Sequence, residues 1–261
     1  PAFGKQPMNA ITKNDIIAFG RRKHAADYAN GTVNRLLVQI RYMFNLAIDW
    51  GVPGVEHNPA RKIPLYRLNN KKERFLTENE VHALVAALRR SENPQLEDIV
   101  GFLLLTGARK GEALAAEWND INLERSMWII PESKSGSARH VPLSGAARQI
   151  LNQLPSLNTS RYVFPNPKTG KPFDNIYHSW NTARQRAGMP ELRIHDLRHS
   201  FASFLINAGH SLYEVQKLLG HHSIAVTERY AHLTQERLTE AAAAANHLPA
   251  PKSADDAPPA A

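Results

Sequence analysis

Apolar residues recur at helical spacing along most of this chain. Thr12 stands three residues before Asp15, and Ile16, Ile17 and Phe19 follow, which is the start signal of an amphipathic helix. Asn30-Gly31 interrupts the pattern, and Thr32 is placed to cap a second, longer helix. Its stripe of Val33, Leu36, Leu37, Ile40, Met43, Phe44, Ala47 and Trp50 repeats at three- and four-residue steps and predicts a core face. VPGVEHNPARKIP (52–64) ends that helix, and YRLNNKKERF (66–75) is polar, basic and aperiodic, as a linker is. Thr77-x-x-Glu80 opens another helix running through Arg90. LEDIVGFLLLTGARKGEALAAEW then predicts two helical stretches hinged at Thr106-Gly107. Residues 126–144 break the helical period: a β-branched and aromatic run, a Ser/Lys/Gly turn and a short second run predict a β-hairpin. Helical segments are expected at 145–154, 174–188, 196–208 and 211–219, with a short one carrying Tyr230 and a last one over 234–247. The Pro/Ala-rich residues 248–261 are expected to be a disordered tail. The layout is mainly α. A small helical domain (1–66), a linker (67–75) and a larger α-rich domain with a small antiparallel β element (76–247) precede the tail.

Charge sharpens this division. The 261 residues carry a formal net charge of +8. Residues 1–74 hold 13 Lys+Arg against 5 Asp+Glu, a net of +8, whereas the remainder holds 19 of each sign. A basic segment beside a neutral one fits a polyanion, nucleic acid first. Arg21, Arg22, Lys23, Arg35 and Arg41 are the candidates for contacting a phosphate backbone, although a solvated basic surface gives the same charge count. The chain has no cysteine, which excludes disulfides, thiolate nucleophiles and cysteine-ligated zinc. Its apolar runs, such as IVGFLLL (99–105), are too short to span a bilayer, and no export signal opens it, so a cytoplasmic location is expected. It opens on a proline, as a fragment or a processed chain does.

Four stretches of the second domain carry reactive side chains. TGARKGEAL places Arg109 where a helix begins, and PESKSGSARHVP places Lys134 at the hairpin tip. IHDLRHSFA places His195 and Arg198 three apart on one helical face, and LGHHSIAVTERYAHL supplies His221 and Tyr230. Two arginines, two histidines and a lysine suit a phosphodiester passing through a more highly charged transition state. A phenol with a pKa near 10 is a weak nucleophile, which cationic neighbours would activate. A lysine amine could protonate a departing sugar oxygen. Each residue also has a plainer reading. Tyr230 alone suits packing, Glu112 suits an intrahelical charge, His199 suits packing or support, and Lys110 and Arg139 rival Arg109 and Lys134 by proximity. His195 and His199, four apart, have the spacing of a helical zinc pair, but Asp196 stands where that signature needs Glu and Arg198 would repel a cation. No metal ligand set and no cofactor are expected.

The ordered set Arg…Lys…His-x-x-Arg…His…Tyr, within TGAR, HDLRH, LGHHS and TERYAH, resembles the tyrosine recombinase (phage integrase) family over about residues 76–233. TVNRLLVQIRYMFNLAIDWG…NPA resembles that family's helical, SAM-like core-binding domain. The resemblance implies that Arg109 and Arg198 hold the scissile phosphate and that Lys134 protonates the 5′-oxygen. It implies that His195 assists proton handling, that His221 bonds a non-bridging oxygen, and that Tyr230 forms a 3′-phosphotyrosine. Glu112 would orient the basic groups. It further implies cleavage and rejoining without metal or ATP and double-stranded recombination sites as substrate. A homotetramer on DNA, a monomer in solution, accessory DNA-bending proteins and a place at the bacterial nucleoid belong to the same expectation. The residues also leave open a DNA-binding protein without catalysis, a single-strand-nicking topoisomerase and a metal-dependent hydrolase.

Overall fold

The computed structural model describes residues 2–68, 74–131, 138–221, 223, 226–228 and 230–231. The chain divides into two compact units, Pro1–Lys72 and Glu73–Ala261.

The first unit is built on α1 (Lys13–Ala25) and α2 (Asn30–Asp49). Thr12 and Asp15 cap α1 reciprocally: the Asp15 carboxylate accepts from the Thr12 backbone N–H and the Thr12 hydroxyl accepts from the Asp15 N–H. α2 begins at Asn30 rather than after Thr32. The Ala29 carbonyl already accepts from the Thr32 and Val33 N–H groups, so Thr32 lies inside the first turn instead of capping it. Ile16, Val33, Leu37, Phe44 and Ala47 form the core with Val55, Ala60 and Ile63 from the following loop. Asn34 fastens that loop by two bonds of 2.8 Å with the Tyr66 backbone.

The expected apolar stripe is wider than the surface available to cover it. Met43 is 53% exposed and Trp50 is 75% exposed, and neither belongs to the core cluster that α2 forms with α1, the residues before it and the following loop. Arg41 is a second correction. Its Nε donates to the Ala60 carbonyl at 3.1 Å and its Nη2 to that of Ile63 at 2.9 Å, so it fastens the loop rather than standing out toward a phosphate. Arg21, Arg22 and Arg35 are exposed, while Lys23 lies with its ammonium 4.6 Å from the centre of the Tyr28 ring.

The second unit contains α3 (Glu78–Leu88), α4 (Leu96–Thr106), α5 (Lys110–Leu114), β1 (Ile121–Asn122), β2 (Met127–Ile130), β3 (Arg139–Pro142), α6 (Gly145–Gln153), α7 (Tyr177–Arg186), α8 (Asp196–Asn207) and α9 (Leu212–Leu219). α4 is the axis: Ile99, Val100, Phe102 and Leu103 are buried, and the helix packs against α6 and α8. The three strands make one antiparallel sheet in the order β1-β2-β3. The hairpin has its expected base, with Trp128 opposite Val141 and Ile130 opposite Arg139. Trp128 is fully buried against Phe102. β1 was not predicted, since two residues are too few to show a period. α7 starts at Tyr177, where the Asn175 side chain accepts its backbone N–H at 3.0 Å. The hairpin tip with Lys134, the segment 234–247 and the tail lie outside the described residues. Among the described residues, no helix is long and apolar enough to cross a membrane.

Candidate active site

Two helix ends and one strand position the cationic groups. α4 stops at Gly107, whose φ of 62° and neighbouring Phe201 ring exclude a side chain: a Cβ would lie 2.3 Å from Phe201 Cδ1. α9 stops at Gly220, also left-handed at φ 65°, where a Cβ would lie 2.3 Å from Arg139 Cδ. Both stops leave carbonyls at the negative end of a helix dipole, and arginines take them. Arg198 on α8 is 3% exposed and donates from Nη1 to the Gly107 carbonyl at 2.7 Å and from Nη2 to the Leu219 carbonyl at 2.6 Å. Arg139, opening β3, donates from Nη1 to the same Leu219 carbonyl and from Nη2 to Glu112 Oε2 at 2.7 Å.

Glu112 gathers the remaining arginine. It accepts from the Arg109 backbone N–H at 2.8 Å and from Arg109 Nη1 at 2.6 Å, at the first turn of α5. Burial pushes the Glu112 carboxyl up, but the Arg109 N–H and the Arg139 charge outweigh it and hold the group below its ordinary value. The Arg109 side chain is 43% exposed, whereas Arg139 and Arg198 are buried. Burial, then the charges of Arg109 and Arg139, push Arg198 down to about 9, which leaves it protonated at neutral pH. Arg109 and Arg139 therefore share the Glu112 carboxylate, Arg198 stands beside them on two backbone carbonyls, and the surplus charge of the three guanidinium groups favours an anion.

The phenol lies beside this cluster. The Tyr230 ring is 5% exposed and packs with Ala202, Ile206, Val215 and Leu219, so the packing reading holds for the ring. Its hydroxyl does something else: it lies 2.5 Å from His199 Nδ1, and the tyrosine is near enough for its charge to act on Arg198. His195, exposed at the N-terminus of α8, meets His199 edge-on with ring centres 4.9 Å apart. His221 follows Gly220 and joins the hydroxyl of Thr227 at 2.8 Å; the Thr227 carbonyl in turn accepts the Tyr230 N–H at 3.0 Å. The predicted histidine thus anchors the turn that carries the predicted tyrosine.

α8 itself is fixed from below. Asp196, fully buried, accepts from the Arg193 backbone and guanidinium, and Ser200 donates to the Asp196 carbonyl while accepting the Leu76 N–H. Arg109, Glu112, His195, Arg198 and Tyr230 are brought together, with His221 behind the tyrosine; Lys134 lies outside the described residues. Sequence reasoning gave too little weight to Arg139, a rival of Lys134 by proximity, and to His199. Thr227 was missed. Among the described residues no group of three His, Asp or Glu side chains is placed to hold a metal.

The chain belongs to the phage integrase family, the tyrosine recombinases, whose profile matches residues 74–237. It is 33% identical to a shufflon-specific DNA recombinase of Escherichia coli over 77% of this chain and 51% of that protein. It is 32% identical to the tyrosine recombinase XerC of Roseiflexus castenholzii over 87% of this chain and 76% of that protein. The chain spans about half the length of the first of these relatives. The crystal structure of a lambda integrase dimer bound to a COC′ core site shares the fold, with a TM-score of 0.70 and 20% identity over 86% of this chain and 81% of that one.

Proposed function

We propose that this chain cleaves and rejoins DNA strands at specific sites through a covalent 3′-phosphotyrosine. The observation that carries the reading is a buried phenol beside a cluster of three guanidinium groups with a single carboxylate, Glu112, which pairs with two of them. Each Nη of Arg198 keeps a second hydrogen after serving a carbonyl, so the group can still offer a fork to phosphate oxygens. Arg109, partly exposed, supplies the second fork, held by Glu112, which Arg139 binds in turn.

The Tyr230 oxygen attacks the phosphorus, the bond to the 5′-oxygen breaks, and Lys134 gives that oxygen its proton. His195 handles protons at the phosphate and His221 bonds a non-bridging oxygen. The phosphotyrosine keeps the energy of the broken diester, so a free 5′-hydroxyl reverses the step without ATP. Preorganised arginines provide the positive charge at the phosphate. The substrate is double-stranded DNA, bound through the backbone by Arg21, Arg22, Lys23 and Arg35 of the first unit, and the acting species is a homotetramer on paired sites, with DNA-bending proteins as accessories.

A DNA duplex nicked just beyond the cleavage position lets the short 5′-hydroxyl product diffuse away and traps the intermediate. The wild-type chain is expected to accumulate a covalent protein–DNA species in excess EDTA, and Tyr230→Phe none. Failure of wild type to form the species while binding the duplex would leave a DNA-binding protein without catalysis. Formation that stops in EDTA would point to metal-dependent hydrolysis.

A further inference from the structure

Removing the phenol proton requires an acceptor at the nucleophile, and the roles proposed above place proton handling only at the phosphate and at the leaving oxygen. The Nδ1 atom of His199 lies 2.5 Å from the Tyr230 hydroxyl. His199 is 8% exposed, follows Arg198 directly in α8, and the tilted Tyr230 ring stands 5.8 Å away, centre to centre. Its place is fixed, because α8 is anchored through Asp196 and Ser200 and because His195 packs edge-on against its ring. Donor and acceptor are already within the reach a general base needs.

Resting on the proposed strand-cleavage reading, we propose that His199 is a further catalytic residue: the base that takes the proton of the Tyr230 hydroxyl during attack and returns it during rejoining. In the forward step the Tyr230 O–H proton passes to Nδ1 of a neutral His199 ring, and the oxygen forms its bond to phosphorus. The P–O5′ bond breaks, and the departing oxygen takes a proton from Lys134. On rejoining, the 5′-hydroxyl gives its proton back to the lysine amine and attacks. The Tyr230–P bond then breaks, and the imidazolium returns its proton to the phenol oxygen. The two ends of the reaction thereby have separate proton carriers, His199 at the nucleophile and Lys134 at the leaving group. The guanidinium groups never change protonation.

DNA whose scissile 5′-bridging oxygen is replaced by sulfur separates the two carriers, since a thiolate leaves without an acid. On ordinary suicide DNA, His199→Asn, whose amide can keep a hydrogen bond but cannot take the proton, is expected to cleave about 100-fold more slowly than wild type with unchanged DNA affinity. Lys134→Ala is expected to fall by a similar factor. On the sulfur substrate Lys134→Ala recovers to within about threefold of wild type, and His199→Asn does not. Recovery of His199→Asn to the same degree, or near wild-type cleavage by it on ordinary DNA, overturns the proposal. Should that variant fail to fold, ¹⁵N NMR of the histidine rings in wild type and Tyr230→Phe decides. Loss of one hydroxyl is expected to move the His199 Nδ1 resonance, and an unmoved resonance contradicts the contact. Absence of a covalent species in wild type would instead remove the strand-cleavage reading itself.

Discussion

Arg139 and Arg198 donate to the same acceptor, the carbonyl oxygen of Leu219 at the end of α9. The carbonyl belongs to the helix terminus that precedes Gly220 and His221, so β3, α8 and the LGH turn meet at one atom. Glu112 closes the arrangement on the other side by binding Arg139 and Arg109. The arginines are thus held by a shared set of acceptors.

The first prediction concerns Arg139. Replacing it with Met leaves Glu112 with Arg109 alone and removes one donor from Leu219. Breaking a buried ion pair from one side costs about 3–5 kcal/mol. Arg139→Met is expected to lose stability in that range in denaturant titrations. A loss under about 1 kcal/mol would mean that the pair contributes little net energy, as exposed pairs do.

A pH prediction follows from Glu80, which accepts from Arg74 and from the Thr77 backbone in the cap of α3. The Arg74 bond, then the cap, hold the Glu80 carboxyl down at about 2, against an ordinary 4.5. A carboxylate depressed on folding adds stability that is fully present above the unfolded value and is lost as pH falls from there toward the folded one. Glu80→Gln is therefore expected to cost about 1 kcal/mol at pH 7, and the gap from wild type should close between 4.5 and about 2. A gap constant across that window would show that the carboxylate charge is not what the cap uses.

Binding to DNA offers a third check, which separates two kinds of arginine in the first unit. Arg21, Arg22 and Arg35 are exposed, whereas Arg41 is bonded to the Ala60 and Ile63 carbonyls. Each exposed arginine changed to Gln is expected to lower the slope of log affinity against log salt by about 1 through lost counterion release. Arg41→Gln is expected to lower the stability of the unit and leave the slope nearly unchanged. The opposite pattern would move Arg41 into the DNA contact set.

Much of this was legible in the chain because its signals are local. Capping pairs Thr12/Asp15 and Thr77/Glu80 announce their helices, and TGAR, HDLRH and TERY carry the site in short motifs. Arg139 was harder to rank because its importance depends on α5 and α9, whose partners in Glu112 and Leu219 are 27 and 80 residues away. His199 sits one residue beyond Arg198 in a helix that buries most of its faces, so position alone did not separate a packing ring from one aimed at a phenol. Thr227 left no trace, since a buried hydroxyl that anchors His221 reads in sequence as any helix-cap threonine. Met43 and Trp50 show the reverse error. Periodicity assigns a face to the helix but does not say how much of that face the neighbouring elements cover.

The central claim is that the Tyr230 oxygen becomes joined to DNA phosphorus. The direct measurement is to trap the complex on a nicked duplex, digest it with nuclease and protease, and locate the nucleotide remnant by mass spectrometry. The account predicts a phosphodiester remnant on Tyr230. A remnant on any other side chain, with Tyr230 unmodified, contradicts it.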